Sequence, residues 1–138
     1  MRRPPVFALF ACALLVAGCA TTDSRTNALT GTLTAYANAI RWDGFASAMQ
    51  FVDPAWRQAH PLSSLDQARY QQVRVASYDE GEGPIPAGPD QVRQVVQIGL
   101  INRNTQSERT VVDHQTWTWD ATQKRWWLSS GLPDITRQ

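Results

Sequence analysis

The fold of this chain is decided by residues 109–120, which read RTVVDHQTWTWD. Successive side chains of a β-strand point to opposite faces of the sheet, so every second residue of this stretch belongs to one face. That face would carry Val111, Asp113, Gln115, Trp117 and Trp119. The period of two predicts a long strand, and the turn residues on both sides of it predict antiparallel neighbours.

Three further stretches show strand patterns around this one. Residues 73–78 alternate, with Val73, Val75 and Ser77 on one face and Arg74, Ala76 and Tyr78 on the other. Residues 90–102 predict a second long strand, and residues 125–130 predict the last one. Residues 79–89 hold three Pro and three Gly, so we expect a mobile surface loop between the first two strands.

The first half of the chain carries helical signals. Steps of three and four residues place Leu29, Leu33, Tyr36, Ala37 and Ile40 on one apolar face. Asn27 would cap this helix, and Asp43-Gly44 would end it. A second short helix is predicted over residues 45–52.

Two capping signals predict further short helices. Asp53 followed by Pro54 is typical of a helix start, with a third helix over residues 55–59 that ends at His60-Pro61. Ser63 or Ser64 would cap a turn through Ala68. Helices that precede an antiparallel meander of about four strands predict an α+β domain, in which N-terminal helices pack on one face of a curved sheet.

This order of elements resembles the nuclear transport factor 2-like fold, the cone shared with ketosteroid isomerase and the SnoaL-like proteins. The resemblance spans residues 27–130 and is strongest in the closing run Lys124-Arg125-Trp126-Trp127-Leu128, because the last strand of that family commonly carries a basic residue, Trp, any residue and an aliphatic. It implies that Trp126 and Leu128 point inward and Trp127 lies on the convex side. A cystatin-like or profilin-like α+β layer is the alternative.

The N-terminus resembles the signal of a bacterial lipoprotein. Met1-Arg2-Arg3 is a positive n-region, residues 6–17 form an uncharged apolar stretch, and Leu15-Val16-Ala17-Gly18-Cys19 matches a lipobox. The resemblance implies a signal peptide over residues 1–18, a lipid on Cys19, a lipidated tether over residues 19–26 and a single domain over residues 27–138. Two or more acyl chains hold a protein stably on a membrane. Ala20 is not the Asp of inner-membrane retention, so we expect an outer-membrane protein that faces the periplasm.

Composition argues against several classes of function for the predicted domain. Loss of Arg2 and Arg3 lowers the basic residues from 13 to 11 against 12 acidic ones, and no basic stripe suggests a nucleic-acid partner. Cys12 would leave with the signal and Cys19 would be lipidated, which excludes thiol chemistry and disulfides. We expect no cofactor and no metal site.

Asp113 is the candidate catalytic residue. If its face lines the cone, burial beside aromatic side chains would raise the pKa of its carboxyl group. The resemblance to ketosteroid isomerase would make it an acid–base group, with Tyr36 or Tyr70 free to assist, although the family's catalytic trio does not map onto this sequence residue by residue. An ion pair with Arg93 or Arg109 across the sheet is the structural alternative.

Neighbouring polar residues show weaker patterns. His114 follows Asp113 directly, so the two would point to opposite faces and form no dyad. His60 and His114 have no spacing typical of zinc ligands. The acidic residues around the Pro/Gly segment lack the register of a calcium loop; they are Asp79, Glu80, Glu82 and Asp90.

Four tryptophans cluster at the predicted last hairpin: Trp117, Trp119, Trp126 and Trp127. They would either pair across the strands and fix the register, or form an exposed surface that binds a partner protein, a glycan or a lipid headgroup.

The sequence therefore predicts a lipid-anchored envelope domain that binds rather than catalyses, with the membrane as one partner and an envelope protein, glycan or small apolar ligand as another. Two alternatives remain open: a small isomerase or hydrolase that uses Asp113, and an accessory to an outer-membrane complex.

Overall fold

A computed structural model describes residues 13–137 of the chain and the side chains of residues 21–137. Most of the predicted signal peptide and the side chain of Cys19 lie outside these described residues. Within them, no helix combines the length and the apolar character that crossing a membrane requires.

Four α-helices precede five β-strands. The helices are α1 (Ala13–Asn38), α2 (Phe45–Ala48), α3 (Pro54–Ala59) and α4 (Ser64–Gln71). A π-helical turn (Ala39–Asp43) follows α1, and a 3-10 turn (Met49–Phe51) follows α2. The strands are β1 (Val73–Asp79), β2 (Ile85–Gly88), β3 (Gln91–Asn102), β4 (Glu108–Asp120) and β5 (Arg125–Leu128).

The strands form one antiparallel sheet in the order β1-β3-β4-β5. The predicted α+β class, with N-terminal helices packed against a curled antiparallel sheet, is confirmed. The predicted loop over residues 79–89 is partly wrong, because it contains β2, which pairs with the start of β3 beside β1. Pro86 has no N–H to donate, and an edge strand tolerates this because one side of it needs no partner.

The helix caps predicted after residue 52 are confirmed. The side chain of Asp53 accepts a hydrogen bond from the Trp56 backbone N–H at 2.9 Å, with Pro54 in the first helical position. The Ser63 hydroxyl accepts one from the Asp66 backbone N–H at 3.1 Å and starts α4. Each cap satisfies a backbone donor that the first turn of a helix leaves without a partner.

The predicted start of the first helix at Asn27 is wrong. Helix α1 already includes Asn27 in its interior, so residues 21–26 are helical. Arg25 explains part of this difference, since it contacts the sheet from this segment. Its side chain forms an ion pair with Asp90 and donates a hydrogen bond to the Pro89 carbonyl oxygen.

The core lies between α1 and the concave face of the sheet. Its fully buried members include Tyr36, Ile40, Val96, Ile98 and Trp117. Trp126 and Leu128 belong to this core cluster as predicted. Trp127 lies outside the cluster and is covered by Arg125, whose guanidinium carbon is 3.7 Å from the ring centroid.

A β-bulge corrects the predicted faces of β1. Val75 pairs with Leu100 and Ser77 pairs with Gly99, so Ala76 is the extra residue. Such a bulge reverses the alternation of side chains beyond it. Tyr78, which the uninterrupted alternation placed opposite Val73, therefore packs against the core.

Candidate functional site

Three polar residues are buried on the concave face of the sheet: Gln94 of β3 and Asp113 and Gln115 of β4. The alternation of β4 directs Asp113, Gln115 and Trp117 to this face, as the sequence predicts. Gln94 lies directly opposite Gln115 in the register of the two strands. Burying polar groups is unfavourable unless they find hydrogen-bond partners, so their contacts decide what this cluster can do.

Gln115 is the centre of the cluster. Its Nε2 donates to Asp113 Oδ2 and to the Tyr78 hydroxyl oxygen, both at 2.9 Å. Its Oε1 accepts a hydrogen bond from Trp117 Nε1 at 3.1 Å. One amide thus joins β1 to β4 and satisfies the indole N–H of a fully buried tryptophan.

Asp113 is a carboxyl group with a pKa close to neutrality. Burial raises its pKa to about 6, against smaller lowering effects from the Gln115 hydrogen bond and from His114. A pKa in this range is what general acid–base catalysis at neutral pH requires. The predicted raised pKa follows from burial beside aromatic side chains, as the sequence suggested.

Tyr36 lies across the concave face from Asp113's strand and is fully buried. Its ring packs edge-on against Trp117 and Phe51, with ring centroids 5.1 and 5.6 Å apart. Among the described residues its hydroxyl has no hydrogen-bond partner. Burial first, and then the charge of Asp113, raise its pKa well above the ordinary value, so the phenol stays neutral.

The other predicted partners of Asp113 are placed elsewhere. The Tyr70 hydroxyl donates to the Pro133 carbonyl oxygen at 2.9 Å. The predicted ion pair with Arg93 or Arg109 is wrong: Arg93 is exposed on the opposite face, and Arg109 donates to the Ile135 carbonyl oxygen. Asp113 therefore has an amide partner in place of a cation.

His114 is exposed on the outer face, which confirms that it forms no dyad with Asp113.

The space around Asp113 is filled by protein. Tyr36, Val96, Trp117 and Leu128 are all fully buried on the concave side. The best-formed cavities among the described residues are lined by other side chains. The cluster thus combines the raised carboxyl pKa of a catalytic group with a buried and closely packed setting.

The tryptophan cluster of the last hairpin is mostly internal. Trp117, Trp126 and Trp127 are buried, so the predicted exposed aromatic surface is wrong for these three rings. Trp119 and Trp126 are direct partners across β4 and β5, with ring centroids 5.4 Å apart. The alternative of cross-strand packing therefore describes the cluster, and half-buried Trp119 borders a surface cleft together with Trp126.

That cleft involves a residue that the sequence did not single out. The Arg25 guanidinium carbon lies 5.3 Å from the Trp119 ring centroid and 5.0 Å from that of Trp126. The Trp126 indole N–H donates to the Arg25 carbonyl oxygen at 3.2 Å. An arginine within a small polar stretch carries no sequence signal for such a contact, because its partners lie far along the chain.

The remaining polar candidates have local structural roles. His60 stacks on Trp56 with ring centroids 4.4 Å apart. Asp79 accepts a hydrogen bond from the Gly81 backbone N–H at 2.9 Å, and Asp90 pairs with Arg25. In the part of the chain that the structure describes, no three His, Cys, Asp or Glu side chains come together as a metal site would require.

Comparison with protein-family models, with curated proteins and with solved structures finds no match for this chain. The α+β architecture with a curled sheet is established by the structure itself. The more specific resemblance to the nuclear transport factor 2-like fold stays a prediction.

Proposed function

We propose that this chain is a lipid-anchored protein of the bacterial cell envelope, and that its α+β domain acts by binding rather than by catalysis. The support for the anchor is the sequence of residues 1–19, with its positive start, apolar stretch and lipobox-like end at Cys19. The predicted destination is the periplasmic face of the outer membrane.

The proposal that the domain binds rather than catalyses is supported by one observation, the filled concave face of the sheet. An enzyme needs its reacting group beside a space for substrate, and ligand sites commonly measure about 300–1,000 Å³. Here Trp117 and Tyr36 occupy the interior beside Asp113 with no exposed surface of their own. The surfaces that remain for a ligand include the cleft beside Arg25, a cavity of about 360 Å³ beside Phe45 and Tyr70, and the outer face of the sheet.

The outer face of the sheet offers an apolar contact. Val95 and Val112 are 49% and 56% exposed and lie on neighbouring strands. Val95 pairs with His114 and Val112 with Gln97, which makes the two valines diagonal neighbours on one face. An envelope protein that contacts this face is the partner that the proposal favours.

Metabolic labelling tests the anchor. Cells that express the chain are grown with labelled palmitate, and the N-terminal peptide of the purified protein is analysed by mass spectrometry. Wild type should carry label on Cys19, Cys19→Ala should carry none, and the matched control Cys12→Ala should keep it. Equal labelling of wild type and Cys19→Ala would contradict the proposal, and membrane fractionation then locates the labelled form.

Crosslinking in native envelopes tests the binding surface. Val112→Lys places a charge on the outer face, whereas Thr34→Lys places the same charge on the exposed side of α1. We expect Val112→Lys to lose the crosslinked partner and Thr34→Lys to retain it. Loss of the crosslinked partner in both variants, or in neither, would contradict the proposal that the partner binds the outer face.

One observation favours the alternative of a small isomerase or hydrolase. Asp113, with a pKa of about 6, shares the interior with the unpartnered Tyr36 hydroxyl, as judged among the described residues. If this cluster is catalytic, small apolar ketones should enter and shift the Asp113 titration followed by NMR. If the domain only binds at its surface, that titration should stay unchanged.

A further inference from the structure

We infer that the cleft between α1 and the Pro84–Pro89 segment holds one acyl chain of the lipid carried by Cys19. The inference rests on the proposed lipidation and names the occupant of a site that the sequence did not reveal. It makes the lipid both an anchor in the membrane and a ligand of the domain.

The cleft has a volume of about 580 Å³, within the range of small-molecule sites. One wall is the first part of α1, and the other is formed by the Pro84–Pro89 segment, the start of β3, the end of β4 and the start of β5. Half of its lining residues within the described part of the chain are aliphatic, aromatic or proline; they are Leu29, Pro84, Pro86, Pro89, Val92, Trp119 and Trp126. A wall of this composition suits a hydrocarbon chain better than a polar ligand.

The charge of the cleft also favours a hydrocarbon occupant. Among the described residues, Arg25 is the only charged one that lines it, and its guanidinium group is already paired with Asp90 at 2.9 Å. A further hydrogen bond from Arg25 reaches the Pro89 carbonyl oxygen at 2.7 Å. An anionic headgroup would have to compete with both contacts to bind Arg25. An acyl chain is uncharged and can bind without disturbing them.

The position of the cleft on α1 points to the chain's own lipid. Its first lining residues are Thr21 and Thr22, and α1 rises about 1.5 Å per residue, so position 19 is one helical turn from the mouth. Position 19 precedes Thr22 by three residues and Thr26 by seven, spacings at which positions share a face of a helix. Position 19 therefore lies next to the end of the cleft that Thr21 and Thr22 line.

The cleft is held open by contacts that span the two walls. The Arg25 side chain lies over Trp119 and Trp126, and its carbonyl oxygen accepts the Trp126 indole hydrogen bond. These contacts fix the distance between α1 and the sheet before any ligand arrives. A preformed site avoids part of the ordering cost of binding.

Photo-crosslinking of the lipidated protein tests this inference. Cells are fed a palmitate analogue with a diazirine on the chain, and the purified full-length protein is irradiated in detergent and digested. We expect crosslinks from the Cys19 lipid to the peptides that contain Leu29, Pro84–Pro89 and Trp119. Crosslinks only to detergent, to added phospholipid or to a second copy would overturn the inference.

A matched pair of variants makes the test specific. Thr30→Trp fills the cleft from α1, whereas Thr34→Trp adds the same ring one turn later, away from the cleft, and both positions are exposed. We expect Thr30→Trp to lower the intramolecular crosslinks at least five-fold and Thr34→Trp to leave them unchanged, with equal melting temperatures as the folding control. Equal yields in both variants would place the acyl chain elsewhere.

The two proposals fail in different ways. If mass spectrometry finds no lipid on Cys19, the proposed anchor is wrong and this inference falls with it. If Cys19 carries the lipid but the cleft peptides carry no crosslink, the anchor stands and only the inference is wrong.

Discussion

Asp113 and Arg25 are both charged residues beside tryptophans, yet their surroundings differ. Asp113 is buried on the concave face, with an amide as its hydrogen-bond partner and no ion pair among the described residues. Arg25 lies at the edge of the sheet, paired with Asp90 and stacked over two rings. A buried charge without a counter-ion destabilises the fold, whereas a paired and partly solvated one supports it. The comparison predicts opposite effects of removing the two charges.

Truncating the buried ring that belongs to the Asp113 cluster should have the largest effect. Trp117 is fully buried and its indole N–H satisfies Gln115. We expect Trp117→Ala to lower the free energy of unfolding by about 3–5 kcal/mol. Urea denaturation measures this, and Trp42→Ala, at a ring that is 74% exposed, should change stability by less than about 0.5 kcal/mol.

Replacing Asp113 by Asn should stabilise the protein at pH 8. The pKa of Asp113 is raised in the folded state from 3.8 to about 6, so its contribution to stability is fully present below the unfolded pKa and is lost as the pH rises through about 6. The amide of Asn does not ionise, so Asp113→Asn avoids this loss. We expect the free energy of unfolding of Asp113→Asn at pH 8 to exceed that of wild type by about 1–3 kcal/mol. Its stability should also vary less with pH between 4 and 6.

Denaturation of both proteins across this pH range measures the Asp113 effect. Glu82→Gln, at an exposed position, is the matched removal of a carboxylate and should leave the profile unchanged. A loss of stability in Asp113→Asn at pH 8 would show that the buried carboxylate is better compensated than its single amide partner indicates.

Removing Arg25 should destabilise the protein modestly. Arg25→Ala loses the stacking on Trp119 and Trp126 and the ion pair, for which we expect about 1–2 kcal/mol at low salt. Part of the effect should disappear at high salt, since the side chain of Asp90 is 60% exposed. Arg137→Ala, which breaks an exposed pair with Asp134, should have no measurable effect in the same salt series.

Replacing the two tyrosines near Asp113 by Phe should change stability by different amounts, because only the Tyr78 hydroxyl has a hydrogen-bond partner among the described residues. Tyr78→Phe removes a hydrogen bond with Gln115 and should cost about 1 kcal/mol. Tyr36→Phe removes a buried hydroxyl with no partner among the described residues and should be neutral or slightly stabilising. Equal losses in calorimetry would indicate that a bound water satisfies Tyr36.

Much of the fold was predictable because its signals are local. The period of two in β4 identifies the buried face, and the caps at Asp53 and Ser63 depend on atoms three residues away. The bulge in β1 was not predictable, since it depends on pairing with β3. There Ser77 packs so closely on Gly99 that a Cβ at position 99 would overlap the Ser77 hydroxyl oxygen.

The features of the candidate sites also divide into those that local sequence predicts and those that depend on contacts between distant segments. Asp113, its face, its neighbour Gln115 and its raised pKa follow from strand alternation and burial, but the inward turn of Tyr78 and its hydrogen bond with Gln115 required the sheet register. The sequence places Arg25 in the predicted tether, because no residue within one helical turn of it indicates a contact with the domain. Its hydrogen bond with Pro89 joins residues 64 positions apart, and its carbonyl meets Trp126 from 101 positions away.

The sequence by itself determined the α+β class, the buried face of β4 and the predicted lipid attachment at Cys19. These depend on side-chain alternation, capping and short motifs, which act within a few residues. Only the tertiary structure decided that the interior around Asp113 is filled and that Arg25 and two tryptophans hold a cleft open beside α1. Those features depend on how distant segments pack, and packing is set by the shapes of all the elements together.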